Sequence, residues 1–376
     1  MSKTFETLGK RARCGIQYAV LLAAASGLAR AAWPVPTAGC GSANAYIKLW
    51  QIKGTADGDL CFVGDAPTGS ATANIQMLIV PVKVELVEKN GNVIVLDPTQ
   101  PLSVPVNSIT GFNALDAVLA SPIFENHDWK AGPVDLGSSQ WGEAVEKASF
   151  LNYPGTSFSN WHVQLVGDVL FSETPTIVVP VGAWTKSTTI PGAYQVDQAA
   201  LKPSLVGFAA TFGAAYPNKV PILLTYNVEK INGSSCCARG YHAHTTDAHG
   251  YTIPYIWASY MDAYSSSPNP DLDALSHEVA EFMHNPLNSN KVKPAWPKTS
   301  GKCDSAFEVG DPIETLSPII RLFSITMPAM TYNFQNVVTA SWLMRAAPAF
   351  SANAQYAFPN KPDSEFAAPA KTCTAP

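Results

Sequence analysis

DLDALSHEVAEFMHNP, residues 271–286, is the stretch on which the reading of this chain turns. At about 100° per residue, Leu272, Leu275, Val279, Phe282 and Met283 share one apolar face, while His277, Glu281 and His284 gather on the other side. That pattern predicts a short amphipathic helix, seated by one face and open to chemistry on the other. Asp271 and Asp273 lie where a carboxylate caps free amides and opposes the positive helix end, and Asn285-Pro286 stops the helix just past His284.

Within it, His277, Glu278 and Glu281 form H-E-x-x-E, a close parallel of the H-E-x-x-H zinc signature. Residues four apart stack one above the other on a helix, so His277 and Glu281 can close on one metal ion. Glu278 then stands beside the site as the general base that takes a proton from water. The alternative is a solvated helix face with ordinary charges.

A third ligand is sought downstream in CDSAFEVGDPIE, residues 303–314, where Glu308 is preferred and Asp304, Asp311 and Glu314 compete. Four acidic residues in so short a run also suit calcium or a solvated loop. One histidine with two carboxylates is a harder donor set than the usual zinc one, so manganese and calcium stand beside zinc as candidate metals. His284 lies ~10 Å along the axis from His277, a strained reach to one ion, and is expected as a cleft wall or, less readily, a ligand.

SHEVAEFMHNP, then Ala295-Trp296 and FEVGD, resembles the H-E-L-A-E-x-x-T-[DN]-P…W…E-I-G-D pattern of secreted bacterial metallopeptidase-like proteins and of the plant exordium-like, or phosphate-induced, family. Upstream, ILLTYNVEKINGSSCCARGYHAH is similar to that family's strand followed by Cys-x-x-x-Cys-Gly-[FY]-His, with His242 at the final position. The resemblance covers about residues 160–345. It departs at His284, where the family usually has Thr, and at Arg239-Gly240, where Cys-Gly is usual. It implies an exported α+β protein with a zincin-like core, a mixed sheet and a metal at His277 and Glu281.

The organisation expected around that core is a signal peptide over 1–31, a β-rich portion over 32–159, the core over 160–345 and an extended tail over 346–376. Lys10, Arg11 and Arg13, a short apolar run and Ala29-Arg30-Ala31 make the export signal, which points to a secreted or periplasmic protein outside the membrane once it is removed. Cys14 would leave with the signal. Cys40, Cys61, Cys236, Cys237, Cys303 and Cys373 then suggest three disulfides, with Cys40–Cys61 the simplest local pair and Cys236 and Cys237 reaching Cys303 and Cys373.

The chain has 376 residues, 47% hydrophobic and 14% charged, enough for a substantial core. Its net charge is -5 with no basic cluster after the signal, which argues against nucleic acid as a partner; a peptide or protein substrate is what the metallopeptidase-like resemblance implies. Residues 74–98 read as a hairpin about Asn90-Gly91-Asn92, with Pro81 at an edge or bulge. Residues 115–150 read as two helical segments joined by a Gly/Pro turn region. KVPILLTYNVEKI suits a buried central strand, and the helix before it is expected to break or bend near Pro203.

GYHAHTTDAHGY, with His242, His244 and His249, reads first as a polar loop and second as a metal site, His242 being able to orient substrate or stabilise an oxyanion. YTIPYIWASYMDAY is expected as an edge strand where peptide backbone docks, or as a core strand. Residues 318–347 suggest a strand or loop and then a closing helix. The functional expectation is a metal-dependent peptidase with His277, Glu281 and Glu308 as ligands and Glu278 as base; the alternative is a non-catalytic binding module with a structural metal.

Overall fold

Lys219–Tyr226 is apolar at almost every position because both its faces are buried: it is the middle strand of a five-stranded sheet. The computed structural model describes residue 40 and residues 47–55, 58–102, 111–170, 174–233, 235–262, 271–298, 301–328, 330–360 and 364–373, within one unit spanning 34–376. The expected signal peptide, 1–31, lies outside the described residues. The sheet's strands are β1 Thr72–Pro81, β2 His162–Val169, β3 Lys219–Tyr226, β4 Gly240–Thr246 and β5 Thr252–Tyr260, in the order β4-β5-β3-β1-β2. β5, β3, β1 and β2 run parallel; β4, at the edge, is antiparallel to β5.

Side chains alternate across this sheet with the period of a strand. Met77, Ile79, Ile222, Leu224, Ile256 and Ala258 face one core, shared with α1 Trp141–Phe150 and α3 Asp273–His284. Leu78, Val80, Leu223, Tyr255 and Trp257 face the other, closed by Leu201, Leu205 and Ala209 of α2 Gln198–Ala215. Burying each such side chain contributes roughly 1.5–3 kcal/mol, and the apolar runs of β3 and β5 follow from it. The protein is therefore mixed α+β and rich in strand.

α3 matches the expected helix, with Asp271 Oδ1 accepting the Asp273 backbone N–H at 2.8 Å. Its polar side is not a solvated face: Asp273 and every residue from Leu275 to His284 is buried. α1 lies against it, the Trp141 indole donating to the Ser276 carbonyl at 2.8 Å. At Gly142 a Cβ would stand 3.2 Å from Met283 Cγ, so the two helices pack closely there and a side chain would require Met283 to shift.

Several expectations change. GYHAHTT is β4, a strand and not a polar loop; its burial alternates as an edge strand's does. Of the two readings of YTIPYIWASYMDAY the core strand holds and the edge strand does not: Thr252–Tyr260 is β5, one strand further in and buried on both faces. β1 belongs to the N-terminal portion yet lies between β3 and β2, so the boundary near residue 160 runs through one sheet. Pro81 ends β1, paired with Leu224, where the chain leaves the sheet for the expected hairpin Lys83–Val87 and Val93–Leu96, turned by Gly91 at φ 83°. Between the two helical segments of 115–150 stands a second hairpin, His127–Ala131 with Val134–Ser139. Pro203 sits inside α2 without dividing it. The closing helix after residue 330 is mostly strand, Thr331–Gln335 pairing Leu322–Thr326, with only Ala340–Leu343 helical.

The cysteines also pair differently. Cys303 bonds Cys373, and Cys236 bonds its neighbour Cys237. The Cys373 N–H donates to the Ala295 carbonyl at 2.9 Å, on the strand paired with Cys303–Ala306, so the tail runs beside Cys303. Cys40 and Cys61 do meet, but as thiols: a hydrogen bond with Cys40, and then burial, push the Cys61 thiol far up.

Candidate metal centre

Three segments bring chemistry together. α3 supplies His277, Glu278 and Glu281; β4 supplies His242; the turn after Cys303–Ala306 supplies Glu308 and Asp311. All six line a cleft of about 370 Å³, which also touches Lys230, Tyr241, Asn288 and Glu314.

His277 Nε2 lies 3.1 Å from Glu281 Oε1, 3.8 Å from Glu278 Oε1 and 3.8 Å from Asp311 Oδ1. His242 Nδ1 lies 3.3 Å from Glu278 Oε2 and 3.5 Å from Glu281 Oε2. Its other nitrogen, Nε2, donates to the Asn285 carbonyl at 3.2 Å and lies 3.5 Å from Glu308 Oε2. Donor atoms within 4.8 Å of one another form two sets among the described residues: His277, Glu281 and Asp311; and His242, Glu278 and Glu281.

The cluster is held by backbone and by small residues. Gly310 and Asp311 donate their N–H groups to Glu281 Oε1, both at 3.1 Å. A Cβ on Gly310 would fall 2.6 Å from His277 Nδ1, and one on Gly240 2.8 Å from Glu278 Cγ, so both positions need glycine for close approach. Asn285 ties the pieces: its side chain donates to Glu308 Oε1 at 2.8 Å and accepts from the Asn290 N–H at 2.8 Å. Below the cluster, the Asp273 carboxylate accepts from Arg239 and Arg321 at 2.8 and 2.6 Å, anchoring the start of α3.

Electrostatics favour cations here. Burial opposes a charge on His277, but Glu281 and Glu278 outweigh it and raise the imidazole well above its ordinary range. His242 is raised likewise, burial being overcome by Glu308, Glu278 and Glu281. Burial pushes Glu308 up to about 8 and Asp311 to about 6, with Glu281 adding to both. Glu281 goes down: burial is outweighed by His277 and His242. A site in which carboxylates hold protons and imidazoles gain them has more anionic groups than it can leave uncompensated.

The donors fit a divalent metal. Imidazole and carboxylate are the ligand types for zinc and manganese, two sets converge, and Glu308 Oε2 is buried without a hydrogen-bond partner. Comparison with protein families, characterised proteins and solved structures finds no match to this chain. The assignment of chemistry rests on this geometry.

Of the residues expected from sequence, His277, Glu278, Glu281, His242 and Glu308 all line the cleft. Glu308 faces His242, while Asp311 completes the set with His277 and Glu281. Asp304 also lines the cleft, bound to Lys298 at 2.7 Å. His284 is neither ligand nor cleft wall: its Nδ1 donates to the Ala280 carbonyl at 2.9 Å, its Nε2 meets Ser149 Oγ at 3.0 Å, and its ring stacks on Phe150 and Phe307. His244 and His249 do not line the cleft. Asn285, Gly240 and Gly310 escape a search for ligand residues; the one local signal for Asn285 is its place directly after the helix, where it reads as a stop.

Proposed function

We propose that the protein is an exported metal-dependent peptide hydrolase of zincin-like architecture, akin to the metallopeptidase-like and exordium-like proteins its motifs resemble. The observation that carries this is one cleft holding His277, Glu281 and Asp311 around a common point with Glu278 beside it. His277, Glu281 and Asp311 would hold the ion, zinc first and manganese or calcium as alternatives, with Glu308 orienting His242. A divalent ion held there would supply a water of lowered pKa and a Lewis acid for a carbonyl.

Glu278 takes the proton from the attacking water and passes it to the leaving amine. Its Oε1 lies 3.8 Å from His277 Nε2, and Gly240 leaves the space its side chain needs. β4 forms the sheet edge beside the cleft, so an extended peptide can pair with it while its carbonyl approaches the cluster. His242, fixed by the Asn285 carbonyl, turns its Nδ1 toward the same space.

The test is Glu278→Gln assayed on a mixed peptide library, with metal measured on the same sample. Cleavage by the wild type, lost in the variant while the ion at His277 remains, supports the reading; a fully active variant overturns it. The deep burial of the donors, His277 7% and Glu281 3% exposed, favours a second reading, a structural ion in a binding module. Chelation that unfolds the chain, with no cleavage by the loaded protein, would select that alternative.

A further inference from the structure

The two histidines are arranged as mirror partners about two glutamates. Glu281 turns Oε1 to His277 Nε2 at 3.1 Å and Oε2 to His242 Nδ1 at 3.5 Å. Glu278 does the same, Oε1 to His277 Nε2 at 3.8 Å and Oε2 to His242 Nδ1 at 3.3 Å. A carboxylate serving one ion has no need to divide its oxygens between two imidazoles. We propose that this cluster holds two divalent cations, one at His277, Glu281 and Asp311 and one at His242, Glu278 and Glu281, with Glu281 as the bridge. The proposal rests on the metal reading above and adds a second ion to it.

The tautomer of His242 supports it. A carbonyl oxygen only accepts, so the 3.2 Å contact with Asn285 O makes His242 Nε2 the protonated nitrogen and leaves Nδ1, the one aimed between the glutamates, to ligate. The Asn285 carbonyl is thus the outer acceptor that fixes the ring, and Glu308 Oε2, buried without a hydrogen bond, stands 3.5 Å from the same Nε2. His277 has its own carboxylate in Asp311, whose second oxygen, Oδ2, is held by Lys298 at 2.9 Å. Paired ions of this kind clamp the attacking and leaving groups of a hydrolysis. Glu278 would ligate the second ion through Oε2, leaving Oε1, 3.8 Å from His277 Nε2, to take the proton from water at the first.

The experiment strips the full mature chain with chelator, reloads it with manganese alone, and reads bound equivalents by mass spectrometry and coupling by electron paramagnetic resonance. Expected are two ions per wild-type chain with a spin-coupled spectrum, one uncoupled ion in folded His242→Gln and in folded Asp311→Asn, and none in His277→Ala/Glu281→Ala. One uncoupled ion in the wild type, unchanged by His242→Gln, overturns the second ion and leaves the single-metal reading intact. No ion in folded wild type overturns both.

Discussion

α3 carries two histidines, both buried, whose surroundings pull them in opposite directions. His277 faces Glu281, Glu278 and Asp311 and is driven toward its charged form; His284, two turns on, stacks between Phe150 and Phe307 and is pushed down to about 4 by burial. Burial weighs against charge at both, so the difference lies in what else is near. At the carboxylate end, the anions outweigh desolvation and prepare a place for cations; at the aromatic end nothing does, and the neutral ring becomes packing material. A histidine's place in a helix pattern therefore says little about its role until the partners from other segments are known.

The largest effect that would sharpen this contrast is at Glu278. Glu278→Gln is expected to lower peptide hydrolysis about 10²–10⁴-fold with the fold unchanged, measured by single-turnover cleavage. An equal loss from His284→Gln would break the comparison, since His284 has no part in the cleft.

Next comes pH. The folded His284 does not protonate until about 4, whereas in the unfolded chain it would at about 6.5, so its contribution to stability is complete above that value and is lost as pH falls from 6.5 to 4. The loss is on the order of 3 kcal/mol. Urea midpoints of metal-loaded wild type and His284→Gln at pH 7 and pH 4.5 check it: the variant should lose less stability on acidification, and identical losses would contradict the aromatic-end account.

Smaller effects probe the carboxylate end. Gly310→Ala places a methyl 2.6 Å from His277 Nδ1 and should weaken metal binding roughly 10–100-fold by turning the ring, read by competition with an indicator chelator. Unchanged affinity would mean that the ring is free to yield. Lys298→Met removes the cation on Asp311 Oδ2 and should strengthen metal binding roughly twofold to fivefold at low salt, since this pair is partly exposed. Weaker binding would show Lys298 to be a support for Asp311 instead of a competitor.

Much of the aromatic end was legible in the sequence and rather less of the cluster. Leu275, Val279, Phe282 and Met283 recur with helical period, and α3 forms where they predict. β3 announces itself by an unbroken apolar run for the same local reason. What periodicity does not carry is the other side of each contact. His242 reaches Glu278 from β4, and Glu308 and Asp311 arrive on a turn whose acidic residues look interchangeable until the Gly310 and Asp311 N–H groups fix Glu281. β4 read as a loop because its glycine and histidines hide the alternation of an edge strand. His284 shared the polar side of the helix wheel with His277, but α1 packs over that region, and Ser149 takes its Nε2. The cysteine pairs failed for the same reason: proximity between Cys303 and the tail is set by the path of the last residues along Ala295.

The central claim is that the carboxylate end of α3 is a metal site. Isothermal titration of chelator-stripped wild type and of His277→Ala/Glu281→Ala with zinc, both shown folded by circular dichroism, tests it most directly. The account predicts saturable binding by the wild type and none by the double variant; equal binding by both, or none by the folded wild type, would contradict it.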